Sequence, residues 1–111
     1  MLRESQAAVI ARNETWKGST ASEPYEAGWA GEAVIFVRAL KNAKGSPGRA
    51  RVELSPDGMN WVAEGTTFAL PRKANQVTFA RLTNFGTWIR IAADLPKGAE
   101  LTVLVTIHAK A

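Results

Sequence analysis

The sequence predicts an all-β fold: a single antiparallel β-sandwich, jelly-roll-like, of about eight strands with almost no helix. Three observations carry that reading. Apolar and polar residues alternate with period two in run after run. Turn-forming residues separate the runs at intervals of roughly 8–12 residues. No window of about 12 residues holds a 3.6-residue apolar period. The chain has 111 residues, 46% of them apolar and 22% charged, which suits one soluble domain with a sizeable core.

Gln6 to Arg12 reads as a first strand. Residues 33–40 are apolar on both faces, as in a central strand, so either Val34 or Ile35 and either Phe36 or Val37 face the core. Val52 and Leu54 alternate with Arg51 and Glu53. Val77 and Phe79 alternate with Gln76, Thr78 and Ala80. Ile89 and Ile91 oppose Trp88 and Arg90, and Arg90 is expected to stack on Trp88. Leu101, Val103, Val105 and Ile107 form the apolar face of the last strand. Together with Trp61, these apolar residues are the expected inner faces.

The breaks have their own chemistry. Lys44-Gly45-Ser46-Pro47-Gly48 interrupts any regular element. In Pro56-Asp57-Gly58 the proline presets φ and the glycine supplies a positive φ. Residues 71–73, 84–86 and 96–98 act in the same way. Residues 1–30 are expected to be an N-terminal strand followed by an irregular arm or long loop, and residues 31–111 the sandwich body. The 13–30 segment is polar yet holds Trp16, Tyr25 and Trp29, and aromatics of this kind argue against free disorder.

Several function classes are excluded or left without support. Zero cysteines excludes disulfides, thiolate zinc sites and a cysteine nucleophile. The single histidine, His108, excludes multi-histidine metal sites and reads as a surface strand residue. No Gly-x-Ser-x-Gly elbow, phosphate loop or Asp-x-Asp calcium spacing is present. Asp57 is explained by its turn. Catalytic, cofactor and metal residues are therefore expected to be none, and the chain is not read as an enzyme. No membrane span is expected, and Met1 to Arg12 does not look like a secretion signal. The net charge of +4 is mild, and without a nucleic-acid motif it does not predict nucleic-acid binding.

What remains is contact chemistry. Trp16, Tyr25 and Trp29 are candidate anchors, because aromatics are enriched at interface hot spots. Arg38, Lys41, Lys44, Arg49 and Arg51 form an acid-free basic stretch suited to an acidic partner surface. Trp29→Ala is expected to leave the fold nearly intact and weaken assembly. Stacking of the exposed rings on sugars is the alternative use.

The stretch from Val34 to Asn60-Trp61, with Gly45-Ser46-Pro47-Gly48 and Ser55-Pro56-Asp57-Gly58 within it, is followed by Phe85-Gly86-Thr87-Trp88-Ile89-Arg90-Ile91 and a closing strand. Over residues 33–110 this order resembles the small β-sandwich structural and accessory proteins of tailed bacteriophages and prophages. More weakly, it is similar to discoidin-like binding domains. The first resemblance implies a non-enzymatic virion accessory subunit, a capsid decoration or tail-associated protein. Its partners would be other virion proteins or copies of itself. It would be assembled in the host cytoplasm and carried on the virion. The alternative is a carbohydrate-binding β-sandwich module.

Overall fold

The computed structural model describes residues 5–83 and 85–111, and among them there are nine strands and no helix. In chain order they are β1 (Ser5–Trp16), β2 (Ser19–Ala21), β3 (Tyr25–Glu26), β4 (Glu32–Ala39), β5 (Arg49–Ser55), β6 (Val62–Ala69), β7 (Val77–Thr83), β8 (Trp88–Asp94) and β9 (Leu101–Lys110). All described pairings are antiparallel. Sheet I has the order β1-β9-β4-β7; sheet II has the order β2-β8-β5-β6, with β3 also on β8.

The core lies between the sheets and follows the alternation. Ile35 and Val37 of β4, Val103, Val105 and Ile107 of β9, and Ile89 and Ile91 of β8 are fully buried. β4, apolar on both faces, is central in sheet I. Its odd-numbered residues point inward, which decides the phase in favour of Ile35 and Val37 over Val34 and Phe36.

β7 has the opposite phase from the expected one. Val77 and Phe79 are about half exposed, while Ala80 and Leu82 face the core. The register is regular from Glu32↔Thr83 to Arg38↔Val77, so Phe79 shares the outer face with Phe36. With Leu82 the one large side chain on its inner face, β7 suits an edge strand that meets the core at its margin. The larger ring packs better on its outward-facing neighbour. Trp61 and Leu54 are half-buried rather than wholly inside.

The segment expected to be irregular is an interrupted edge strand. β2 pairs with Ala92–Asp94, and β3 pairs with Trp88 and Ile89 on the same strand. Pro24 lacks the N–H needed to continue the ladder. Ser22 bridges the interruption: its N–H donates to the Ile91 carbonyl at 2.8 Å, and its Oγ accepts from the Ile91 N–H at 3.0 Å. β1 carries two register shifts, and the first brings Ile10 and Ala11, adjacent in sequence, both into the core. Asn13, at the second, adopts φ 51°, which asparagine tolerates.

Candidate interaction surface

The outer face of sheet I is built by register. One cross-strand row runs Val9, Thr106, Phe36, Phe79. The row beside it runs Ala7, His108, Val34, Arg81, and the row on the other side runs Leu104, Arg38, Val77. Period two sends all of these side chains to the same side. The result is an apolar band across four strands, bordered by cations.

The band is only partly covered. Phe79 is 49% exposed, Val77 48% and Val9 38%. The rings of Phe36 and Phe79 are tilted, with centroids 6.0 Å apart. His108 stands edge-on to Phe36 at 5.5 Å. The Arg81 guanidinium lies 5.5 Å from the Phe79 centroid. At the Lys110 end the face sinks into a depression of about 480 Å³, with Val34 and Phe36 in its lining and Glu32, Arg81, Thr83, His108 and Lys110 around them.

The outer face of sheet II is chemically different, because four of its charges pair with one another. Glu53 is buried and accepts from Arg51 Nε at 2.9 Å and Arg90 Nε at 2.7 Å. Arg51 also donates to Asp94 at 2.8 Å. Burial pushes the Glu53 carboxyl up, but the two guanidiniums outweigh it and hold it below the usual glutamate range. Asp94 is held low by Ser19 and Arg51. Arg90 caps the Trp61 ring, 4.3 Å from its centroid, so the expected stacking partner Trp88 is replaced by Trp61. Trp88 instead approaches Gly58, where an added Cβ would meet the indole at 3.3 Å.

The β5–β6 turn is held by its own side chains. Asp57 Oδ1 accepts from the Met59 and Asn60 N–H groups, both at 2.9 Å. Ser55 Oγ accepts from Gly58 N–H at 2.8 Å. The Asn60 and Met59 backbone donors, with the Asn60 and Ser55 side chains, hold the Asp57 carboxyl well below its usual range. This is the turn role the sequence assigns to Asp57.

The eight residues expected to make contacts do not converge. Trp16 is 1% exposed and belongs to the core, opposite Leu101, so it is no surface anchor. The expectation failed because a bulged strand, not a loop, carries the ring inward. Tyr25 and Trp29 are half-buried against the core, and Tyr25 donates to Gln6 at 2.9 Å. Arg51 is committed to Glu53 and Asp94. Lys44 pairs with Glu100 at 3.4 Å, and Arg49 donates to Thr67 at 3.2 Å. Lys41 is exposed beyond the end of β4. Of the eight, Arg38 alone lies in the rows just described, where it donates to Asn75 at 2.7 Å.

The sequence reading placed Val77 and Phe79 inside, left Phe36 open against Val37, and did not single out Arg81. The available signal was the second phase of β7, in which Ala80 and Leu82 make an inner face as acceptable as Val77 and Phe79.

No protein-family model matches the chain, and no curated protein matches it. Solved structures do. The SPBc2 prophage-derived protein YomS is similar over 100% of this chain and 96% of its own, with TM-score 0.64 and 8% identity. The PBSX exported protein XepA is similar over 94% of this chain, with TM-score 0.64 and 11% identity; the match spans 36% of XepA. CpGH89CBM32-5 from Clostridium perfringens, solved in complex with GalNAc-β-1,3-galactose, is similar over 93% of this chain and 94% of its own, with TM-score 0.51 and 12% identity. These likenesses are of fold. The all-β sandwich is shared with proteins of prophage origin, as the sequence resemblance implied.

Proposed function

We propose that the chain is a non-enzymatic structural subunit of a virion, a capsid decoration or tail-associated protein, assembled in the host cytoplasm and acting by protein–protein contact. The observation that carries the reading is the outer face of sheet I. The tilted Phe36–Phe79 pair and the half-exposed Val77 form an apolar patch there, with Val9 beyond Thr106 on the same face, and apolar patches on soluble domains mark contact sites. The fold likeness to YomS and XepA supports the phage setting. The strand orders β1-β9-β4-β7 and β2-β8-β5-β6 support the jelly-roll description, an architecture used by capsid and lectin domains alike.

The test uses particles from an induced culture of the source strain. The wild-type chain is expected to co-sediment with them, and Phe79→Lys, which leaves the core untouched, is expected to remove it. A wild-type chain absent from purified particles overturns the reading.

The likeness to a sugar-bound module favours a second reading, carbohydrate binding. Its weak point is ring access, because Trp16 is buried and Arg90 covers one face of Trp61. A glycan screen that includes GalNAc-β-1,3-galactose, repeated with Trp88→Ala, tests it. Saturable binding lost in that variant would establish this reading.

A further inference from the structure

We infer that the depression at the Lys110 end of sheet I receives a segment of a different protein in which an apolar side chain sits beside a carboxylate, and that this face does not dock a second copy of the chain. The inference rests on the reading of the sheet I face as a contact surface and names what that surface contacts.

The shape comes first. At about 480 Å³ the depression falls in the range of ligand-sized sites, roughly 300–1,000 Å³. Val34 and Phe36 give it an apolar floor for an aliphatic or aromatic anchor. Four strands about 4.8 Å apart make a face roughly 14 Å across between its outer axes. One helix, about 10 Å in diameter, covers most of that width, and one extended segment covers the part over the depression.

The charge selects the occupant. Glu32 is the acid in the lining and lies opposite Lys110 in the ladder, and the lining cations Arg81 and Lys110 outnumber it. Arg81 has no carboxylate within ion-pair distance among the described residues. Its guanidinium rests beside the exposed Phe79 ring at the margin of the depression. A planar guanidinium fork is suited to bidentate capture of a carboxylate. Arg38 adds a further cation along the same face, paired only with the neutral Asn75.

The same arithmetic disfavours a second copy. A two-fold face-to-face contact places Arg38 and Arg81 of both protomers in one interface, and the three rows described above hold no acid to match them. Like charges brought together at an interface suppress that pairing. The net charge of +4 acts in the same direction.

The probes are three short peptides titrated into the full chain and followed by amide NMR: acetyl-Leu-Phe-Asp-Glu-amide, its Lys-Lys counterpart in place of Asp-Glu, and acetyl-Gly-Ser-Asp-Glu-amide. The first is expected to bind at least about tenfold tighter than either control, a separation that requires both the anchor and the charge. Shifts should centre on residues 32–36, 81–83 and 106–110. Affinity should fall as salt rises. Arg81→Glu is expected to lower it about tenfold or more, and Arg81→Lys by less, since the charge stays and the fork is lost. Spectral dispersion verifies the fold of both variants, and Phe36→Ala is a second probe of the floor.

Equal binding of the lysine peptide overturns the inference. So does the absence of saturable shifts with the first peptide, or shifts centred elsewhere. Light scattering is expected to report a monomer, and a dimer dispersed by Phe79→Lys also overturns it, by making a second copy the occupant. Particle sedimentation separates the two levels. If Phe79→Lys strips the chain from particles while no peptide binds, the contact surface stands and the acidic–apolar chemistry falls. If the first peptide binds as expected and particles lack the chain, the virion reading falls alone.

Discussion

Trp16→Ala separates a core role from a contact role. Trp16 ends β1 at 1% exposure, opposite Leu101. Truncation removes roughly 200 Å² of buried ring, worth about 5 kcal/mol at 25 cal/mol/Å² as an upper bound. One term acts the other way. The indole Nε1 is buried with no partner among the described residues, so its removal recovers about 1–3 kcal/mol. The net expectation is a loss of about 3 kcal/mol, at the low end of the measured range for such truncations. For 111 residues the unfolding entropy is about 0.23 kcal/mol/K, so the melting temperature should fall by roughly 13 °C. Urea unfolding gives the free energy, with the slope unchanged if the variant keeps the same fold. Trp16→Phe keeps an aromatic ring and removes the orphan donor, so it should lose only about 1–2 kcal/mol. A loss below about 1 kcal/mol in Trp16→Ala, together with weakened particle attachment, would refute the packing argument and return Trp16 to the surface.

Three further outcomes follow from the two outer faces. Glu53 is depressed in the folded state, so its contribution is present above its unfolded value, near 4.5, and is lost as pH falls through the lower folded value. Glu53→Gln should therefore flatten the acid limb of stability below about pH 5 and cost about 2 kcal/mol at neutral pH, less than a fully buried pair because both arginines remain partly wet; an unchanged acid limb in urea midpoints contradicts this. A double-mutant cycle of Trp61→Ala with Arg90→Ala should return a coupling of about 0.5–2 kcal/mol, and zero coupling would mean the ring and the guanidinium act separately. Phe79→Lys should leave the melting temperature within a few degrees while removing particle attachment, and Trp29→Ala should do the reverse, because Trp29 packs on the core and costs about 1–2 kcal/mol when truncated. Equal effects of the two on attachment would place part of the contact at Trp29.

Alternation made β8 and β9 legible: Ile89, Ile91, Leu101, Val103, Val105 and Ile107 are all inside, as their period requires. It failed where both phases of a strand are apolar. In β4 the sequence leaves Ile35 and Val34 equivalent, and only the pairing with β9 and β7 decides between them. In β7 Val77 and Phe79 suggest the core phase, yet the strand buries Ala80 and Leu82 and leaves Phe79 to its neighbour Phe36. The sandwich was therefore visible, and its outer surface was not. Charge partners were out of reach for a related reason. Arg51 and Asp94 lie 43 positions apart, and Glu53 and Arg90 lie 37 apart. Local spacing carries no signal for pairs that only sheet register brings together, so Arg51 read as free.

The edges of the two sheets argue for where a partner lies. An unpaired edge is an invitation to further pairing, and proteins blunt it with bulges, prolines or brevity. β1 carries two register shifts. β6 carries one in its pairing with β5 and holds Gly65 at φ 115°. β2 and β3 are three and two residues long, with Pro24 between them. β7 has none of these devices: it runs seven residues in unbroken register with β4 and pairs with no other strand among the described residues. The open edge and the apolar band thus meet at Phe79. A segment laid along β7 would cover the exposed ring and satisfy the outward N–H groups together, which the peripheral position of β7 otherwise leaves to water. Hydrogen exchange reads this directly. In the isolated chain, the β7 amides that point away from β4 should exchange far faster than those of β4 and β9, and on the assembled particle they should slow. If they stay fast on the particle while Val9, Phe36 and Phe79 become protected from side-chain labelling, the partner sits on the face alone and the edge is not used.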